Sequence, residues 1–177
     1  LMINIDSTLY GSPKYGRWDY GPQKWMMNHL AITNYGNNSI YDEMSIRLAQ
    51  QFFEESRISR NYNSIVEETN TEEVLAYSAN IDLTKKTGDH NKLFYGAEFV
   101  LNDVTSTGRA DISPLGAFPA PARYPQSVWH AYGIYITDQY KFSDTFLIQA
   151  GVRFSGFGLE ADFDTTFYPF PFTNASL

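Results

Sequence analysis

The side chains that could do chemistry are few and scattered. Three histidines, His29, His90 and His130, are candidate ligands, and a row of acidic pairs runs through Glu54, Glu55, Glu67, Glu68, Glu72 and Glu73. Hard carboxylate oxygens in such a row could gather calcium or a bridging cation. The plainer reading is a solvated strand extension with Arg57 and Arg60 as ionic partners. No Ser/His/Asp order, nucleophile elbow or metal-binding helix motif is present, so enzyme activity has no support. Gly156-Phe157-Gly158 reads as a loop, because no strand-to-helix phosphate cradle follows it. The chain has no cysteine, which excludes a disulfide framework and a thiolate metal site. Its 13 basic and 20 acidic residues give a net charge of -7, without the basic stripe that nucleic acid requires.

The elements that must carry these groups are strands. In 44–53, Met44, Ile46, Leu48 and Phe52 fall on one face, and Ser45, Arg47, Ala49 and Gln51 on the other. A period of two makes a ribbon with one oily and one wet surface. The pattern recurs. Leu75, Tyr77, Ala79, Ile81 and Leu83 oppose Ala76, Ser78, Asn80, Asp82 and Thr84; Leu93, Tyr95, Ala97, Phe99 and Leu101 oppose Gly96, Glu98 and Asn102. Tyr132, Ile134, Ile136 and Tyr140 oppose Gly133, Thr137, Gln139 and Lys141; Phe146, Ile148, Ala150, Val152 and Phe154 oppose Gln149, Gly151, Arg153 and Ser155. Six strands are predicted, near 23–35, 40–60, 72–86, 92–104, 128–141 and 146–155. Residues 1–22, rich in Gly, Tyr and Pro, read as a loop, and a polar segment at 61–70 leads into the third strand.

Three short polar turns, near 36–39, 87–91 and 142–145, alternate with longer connections. Up-and-down order therefore gathers every short turn at one end and the long loops, including 105–127 and 156–177, at the other. Transmembrane barrels of the bacterial outer membrane have this asymmetry, with the long loops extracellular. Tyr35, Tyr41, Tyr140, Phe142 and Phe146 cluster at the short-turn end, as an interfacial girdle would. Mean hydropathy is -0.35 and no stretch approaches the roughly 20 apolar residues of a spanning helix. A spanning strand is still allowed, since only every second residue must meet lipid. Six strands leave two open edges, which lipid does not tolerate. The expected fold is thus all-β, an antiparallel up-and-down meander of about six strands forming a segment of a large transmembrane β-barrel. Residues 1–177 are then a single partial domain. Polar wall residues Arg47, Glu98, Gln139 and Arg153 would face the lumen.

Several stretches resemble the barrel of TonB-dependent outer-membrane receptors. They are Trp18-Asp19-Tyr20-Gly21-Pro22-Gln23-Lys24-Trp25-Met26, Gln51-Phe52-Phe53-Glu54-Glu55-Ser56-Arg57, Ala79-Asn80-Ile81-Asp82-Leu83-Thr84-Lys85-Lys86, Tyr95-Gly96-Ala97-Glu98-Phe99-Val100-Leu101-Asn102-Asp103 and Ala150-Gly151-Val152-Arg153-Phe154-Ser155. Tyr20-Gly21-Pro22-Gln23 and Phe53-Glu54-Glu55-Ser56-Arg57 look most like the haem, haemoglobin and transferrin receptor branch. The resemblance implies a barrel of roughly 22 strands occluded by a plug. It also implies outer-membrane lipid, the protein's own plug and TonB as partners, and a small nutrient (iron, siderophore or haem) as cargo. No cofactor is implied. No plug is recognisable in these residues. Of the histidines, only His130, after the long 105–127 connection, stands where a haem ligand would be expected, and the branch's haem-ligand motif is not recognisable. Two other readings stay open: a soluble all-β binding module whose oily faces pack together, and a small non-transporting outer-membrane barrel.

Overall fold

The computed structural model describes residues 13–167 and 173–177. The Tyr-Pro-Phe-Pro-Phe stretch at 168–172 and the start of the N-terminal loop fall outside them. Among the described residues nine strands form one antiparallel sheet: β1 (Tyr15–Tyr20), β2 (Lys24–Tyr35), β3 (Glu43–Asn61), β4 (Val66–Lys86), β5 (Asn91–Ile112), β6 (Gly116–Ala120), β7 (Gln126–Lys141), β8 (Leu147–Asp162) and β9 (Asn174–Ser176). β1 and β2 lie end to end along β3, and β6 and β7 lie end to end along β5. The six predicted strands are therefore six lines of one meander, with β9 added on β8.

The predicted loops are where the structure differs. β1 lies inside the stretch read as loop, because its partner is the polar upper part of β3 and no apolar face announces it. Gly21 and Pro22 interrupt the line, and the Gly21 amide still donates to the Ser56 carbonyl at 2.8 Å. β4 starts at Val66, well before residue 72, and pairs through Glu67 and Glu68 with Asp111 and Ala110. The 105–127 connection is mostly ladder: β5 runs on to Ile112 and β6 returns beside it. Pro119 is tolerated there because β6 pairs on one side only. Residues 156–162 continue β8. The asymmetry between the two ends is one of strand length. The far hairpins close tightly, at 62–65 with Asn63 at φ 60° and at 113–115 before Gly116 at φ 101°.

The sheet is a single layer. Among the described residues Ala161 is the one buried hydrophobic, while Trp25, Ile134, Val152 and Phe154 stand exposed. A module whose oily faces pack into a core is not what forms. The outer lines, β2 and β8, leave the sheet open at both edges.

Candidate functional site

Register turns the alternation of single strands into two continuous surfaces. Ile32, Ile46, Ile81, Ala97, Ile134 and Phe154 are successive cross-strand partners, so one row crosses six lines without a polar atom. The neighbouring row, facing the other way, is Ala31, Arg47, Asn80, Glu98, Gly133 and Ser155. On β3 the oily band spans 44–52, close to the roughly 9–11 residues of a membrane-spanning strand. One row within it is polar on β2 and β3, and there Asn28 donates to Gln50 at 3.3 Å and Gln50 to the Tyr77 hydroxyl at 3.3 Å. Above the band, Lys24 and Glu54 form an ion pair of 2.8 Å.

On the wet face, polar side chains join across strands into two adjacent groups. Arg47 pairs with Asp82. The Tyr135 hydroxyl donates to the other Asp82 oxygen at 2.5 Å. Arg153 pairs with Glu98 and donates to Ser155 at 2.8 Å. Two glycines make room for these reaches. A Cβ on Gly96 would lie 2.8 Å from the Tyr135 ring and 2.3 Å from the Ile81 carbonyl oxygen; one on Gly133 would lie 2.3 Å from the Arg153 guanidinium. Tyr135 and Arg153 thus lie flat along the sheet instead of projecting from it. This surface offers alternating positive and negative groups held in place, suited to a hydrated wall.

The predicted candidates do not converge. His130 is an in-register partner of Leu101 and Gly158, on the oily face, with its ring stacked on Phe99 at 6.4 Å. His29 sits on the wet face of the edge strand β2, opposite Ala49. His90 occupies the β4–β5 turn and stacks on Tyr140 at 6.0 Å. Among the described residues no group of three or more His, Cys, Asp or Glu side chains is placed to hold a metal ion. Of the residues predicted to face a lumen, Arg47, Glu98 and Arg153 belong to these two groups, while Gln139 lies lower and donates to Gln149 at 3.5 Å. The acidic residues lie along strand extensions and do not gather at one point; Glu72 alone among them is buried. Glu55 meets Arg57 at 3.4 Å, Glu67 meets Arg17 at 2.7 Å and Glu72 meets Arg123 at 3.6 Å. Arg60 donates instead to the Ser64 carbonyl at 3.1 Å. Asp82 and Tyr135 were not singled out by sequence, though each falls on the wet face of its strand by simple alternation.

At the short-turn end Phe142 contacts both Tyr140 and Phe146, with centroids 4.4 and 5.4 Å apart. The Tyr41 hydroxyl donates to Asn34 at 3.0 Å. Asp42 accepts from Lys85 at 2.6 Å and from the Lys86 amide at 2.7 Å. The Lys85 hydrogen bond and then that amide hold the Asp42 carboxyl below the usual carboxylate range.

An open, single-layer antiparallel sheet with one oily and one ion-paired face is a segment of a large transmembrane β-barrel. No protein-family model and no curated protein matches the chain. Among solved structures it is similar to the copper transporter OprC, with a TM-score of 0.68 and 12% identity over 84% of this chain and 24% of that one. The chain thus spans about a quarter of that protein's length.

Proposed function

We propose that this chain is part of the wall of a TonB-dependent transporter in the bacterial outer membrane, taking up a small nutrient past a plug domain encoded elsewhere in the same protein. The observation that carries the reading is the row-by-row separation of the two faces: an apolar row across six lines backs directly on one holding Arg47 and Glu98. The resemblance of residues 18–155 to TonB-dependent receptors supports it, and so does the likeness in fold to OprC. In this reading the oily face meets lipid, the wet face lines the lumen, β2 and β8 pair with further strands of the same protein, and the extended hairpins stand outside the cell.

Iron, siderophore or haem is the cargo the resemblance implies. Copper is the second reading, because the structural neighbour is named a copper transporter. The test is uptake of labelled iron, haem and copper by cells with the full-length gene intact, deleted, or intact in a strain lacking TonB. One cargo should lose its uptake both on deletion and without TonB. Unchanged uptake of every small nutrient tried would sink transport, and a full-length gene lacking a plug-encoding stretch would sink the TonB-dependent class.

A further inference from the structure

Residues 121–125 leave the β6–β7 line and fold inward across the wet face just above the oily band. The carbonyl oxygens of Ala120 and Pro121 stand 2.5 and 2.2 Å from where a Cβ on Gly108 would be, so this crossing needs glycine beneath it. Asn70 on β4 donates to the Pro121 carbonyl at 3.0 Å, the Tyr124 amide donates to Ser106 at 3.4 Å, and Gln126 donates to the Ser106 carbonyl at 2.6 Å. Ser106 is only 1% exposed. The strap therefore reaches past its own neighbour, β5, to β4.

Its ionic fastening is unusual. Glu72 is 5% exposed, and neither carboxylate oxygen accepts a hydrogen bond among the described residues. Arg123 on the strap stands 3.6 Å from one of those oxygens. Burial pushes the Glu72 carboxyl above the usual carboxylate range; Arg123 opposes this, Glu55 adds to it, and Arg57 again opposes it. A carboxylate deprived of water is tolerable only beside such cations, and removing one partner leaves a buried, uncompensated charge.

We propose that Glu72 is a positioning residue that draws Arg123 and the 121–125 strap down over the inner wall, fixing the width of the passage at its outer mouth. The inference rests on the lumen assignment above. Charge attraction across the strap holds it in, adding to the part-buried hydrogen bonds that Asn70, Tyr124 and Gln126 make along it.

The test uses the full-length protein in outer membranes, with Ala122→Cys as its only reactive thiol, carrying a nitroxide or challenged with a membrane-impermeant maleimide. Arg123→Ala should mobilise the label and speed thiol modification by about tenfold or more, since the strap must lift for water to reach Glu72. Glu72→Gln should act in the same direction, and Arg123→Lys, which keeps the charge, should restore most of the restraint. Arg123 lies on the strap and outside the main ladder, so its loss leaves the barrel able to fold, as a heat-modifiable gel shift would confirm. Label mobility and modification rate within about twofold of the parent in folded Arg123→Ala and Glu72→Gln would overturn the proposal. The lumen assignment is checked separately with Ala131→Cys and Ile134→Cys, three positions apart on β7 and so on opposite faces. Impermeant reagent should reach the first and not the second, and the reverse would refute the lumen reading whatever the strap does.

Discussion

The lower and upper halves of β3, β4 and β5 share one hydrogen-bond ladder and one side-chain period, yet they are built for different surroundings. In the lower half, the outward row through Ile46, Ile81 and Ala97 is wholly apolar, and ion pairs such as Arg47–Asp82 stay on the inner face. In the upper half, charges occur on both faces: Glu54 and Glu73 are partners outward, and Glu55 and Glu72 are partners inward. Backbone pairing is indifferent to this change. What differs is the solvent each face meets, so the line where the outer face turns polar marks where the oily surroundings end.

The largest test of that contrast is a charge placed outward at two heights. Ile134→Arg, in the middle of the oily band, should cost about 2–4 kcal/mol of folding into lipid vesicles. Thr105→Arg, outward but above the band and opposite Glu73, should change it by less than ~0.5 kcal/mol. Equal costs, read from urea titrations of vesicle-folded protein, would erase the distinction between the halves.

Inner-face glycines should come next. Gly96→Ala meets the backbone oxygen of Ile81 and should cost about 1–3 kcal/mol in the same titration. Gly133→Ala meets only the movable end of Arg153 and should cost less, weakening the pair with Glu98 instead. If Gly133→Ala proves the costlier change, the flat-lying arrangement of the two long side chains is wrong.

Smaller still are the pairs themselves. Tyr135→Phe removes one hydrogen bond to Asp82 and should cost about 0.5–1.5 kcal/mol. The Arg47 side chain is 51% exposed, so Arg47→Ala should cost below ~1 kcal/mol.

The smallest effect belongs to the short-turn end and is read by pH. The Asp42 carboxyl is held below its ordinary value, so its contribution is complete above the unfolded aspartate range of about 4 and is lost as pH falls through the lower folded value. Exchange of the Lys86 amide, which donates to Asp42, should therefore accelerate relative to its unfolded reference rate under acid. Protection that is constant down to the lowest pH at which the barrel stays folded would show that the carboxylate does not hold this turn.

Much of the lower half was legible in sequence. Met44, Ile46 and Leu48 alternate with Ser45, Arg47 and Ala49, and the structure puts each set on one face, because a strand's period of two is local geometry. The upper half was legible on β3, predicted as strand to residue 60, but not on β4 and β5, for the same reason in reverse. With polar residues on both sides of Glu67–Asn70 there is no apolar phase to read, and such a ladder forms because its neighbours are already aligned below. Asp82 and Tyr135 were readable as wet-face residues but not as partners, since they are separated by 53 positions. Arg123 as partner of Glu72 had no sequence signal beyond the prolines at 121 and 125 bracketing its segment.

The sequence by itself determined that the chain is all strand, which side chains share a face, and where the short turns fall. These depend on the alternation of neighbouring residues and on turn chemistry. Only the tertiary structure decided which strand lies beside which and in what register, how far the ladders run past the oily band, and that a strap folds inward onto a buried carboxylate. Those outcomes depend on pairings between residues tens of positions apart, where one step of register exchanges the faces of an entire strand.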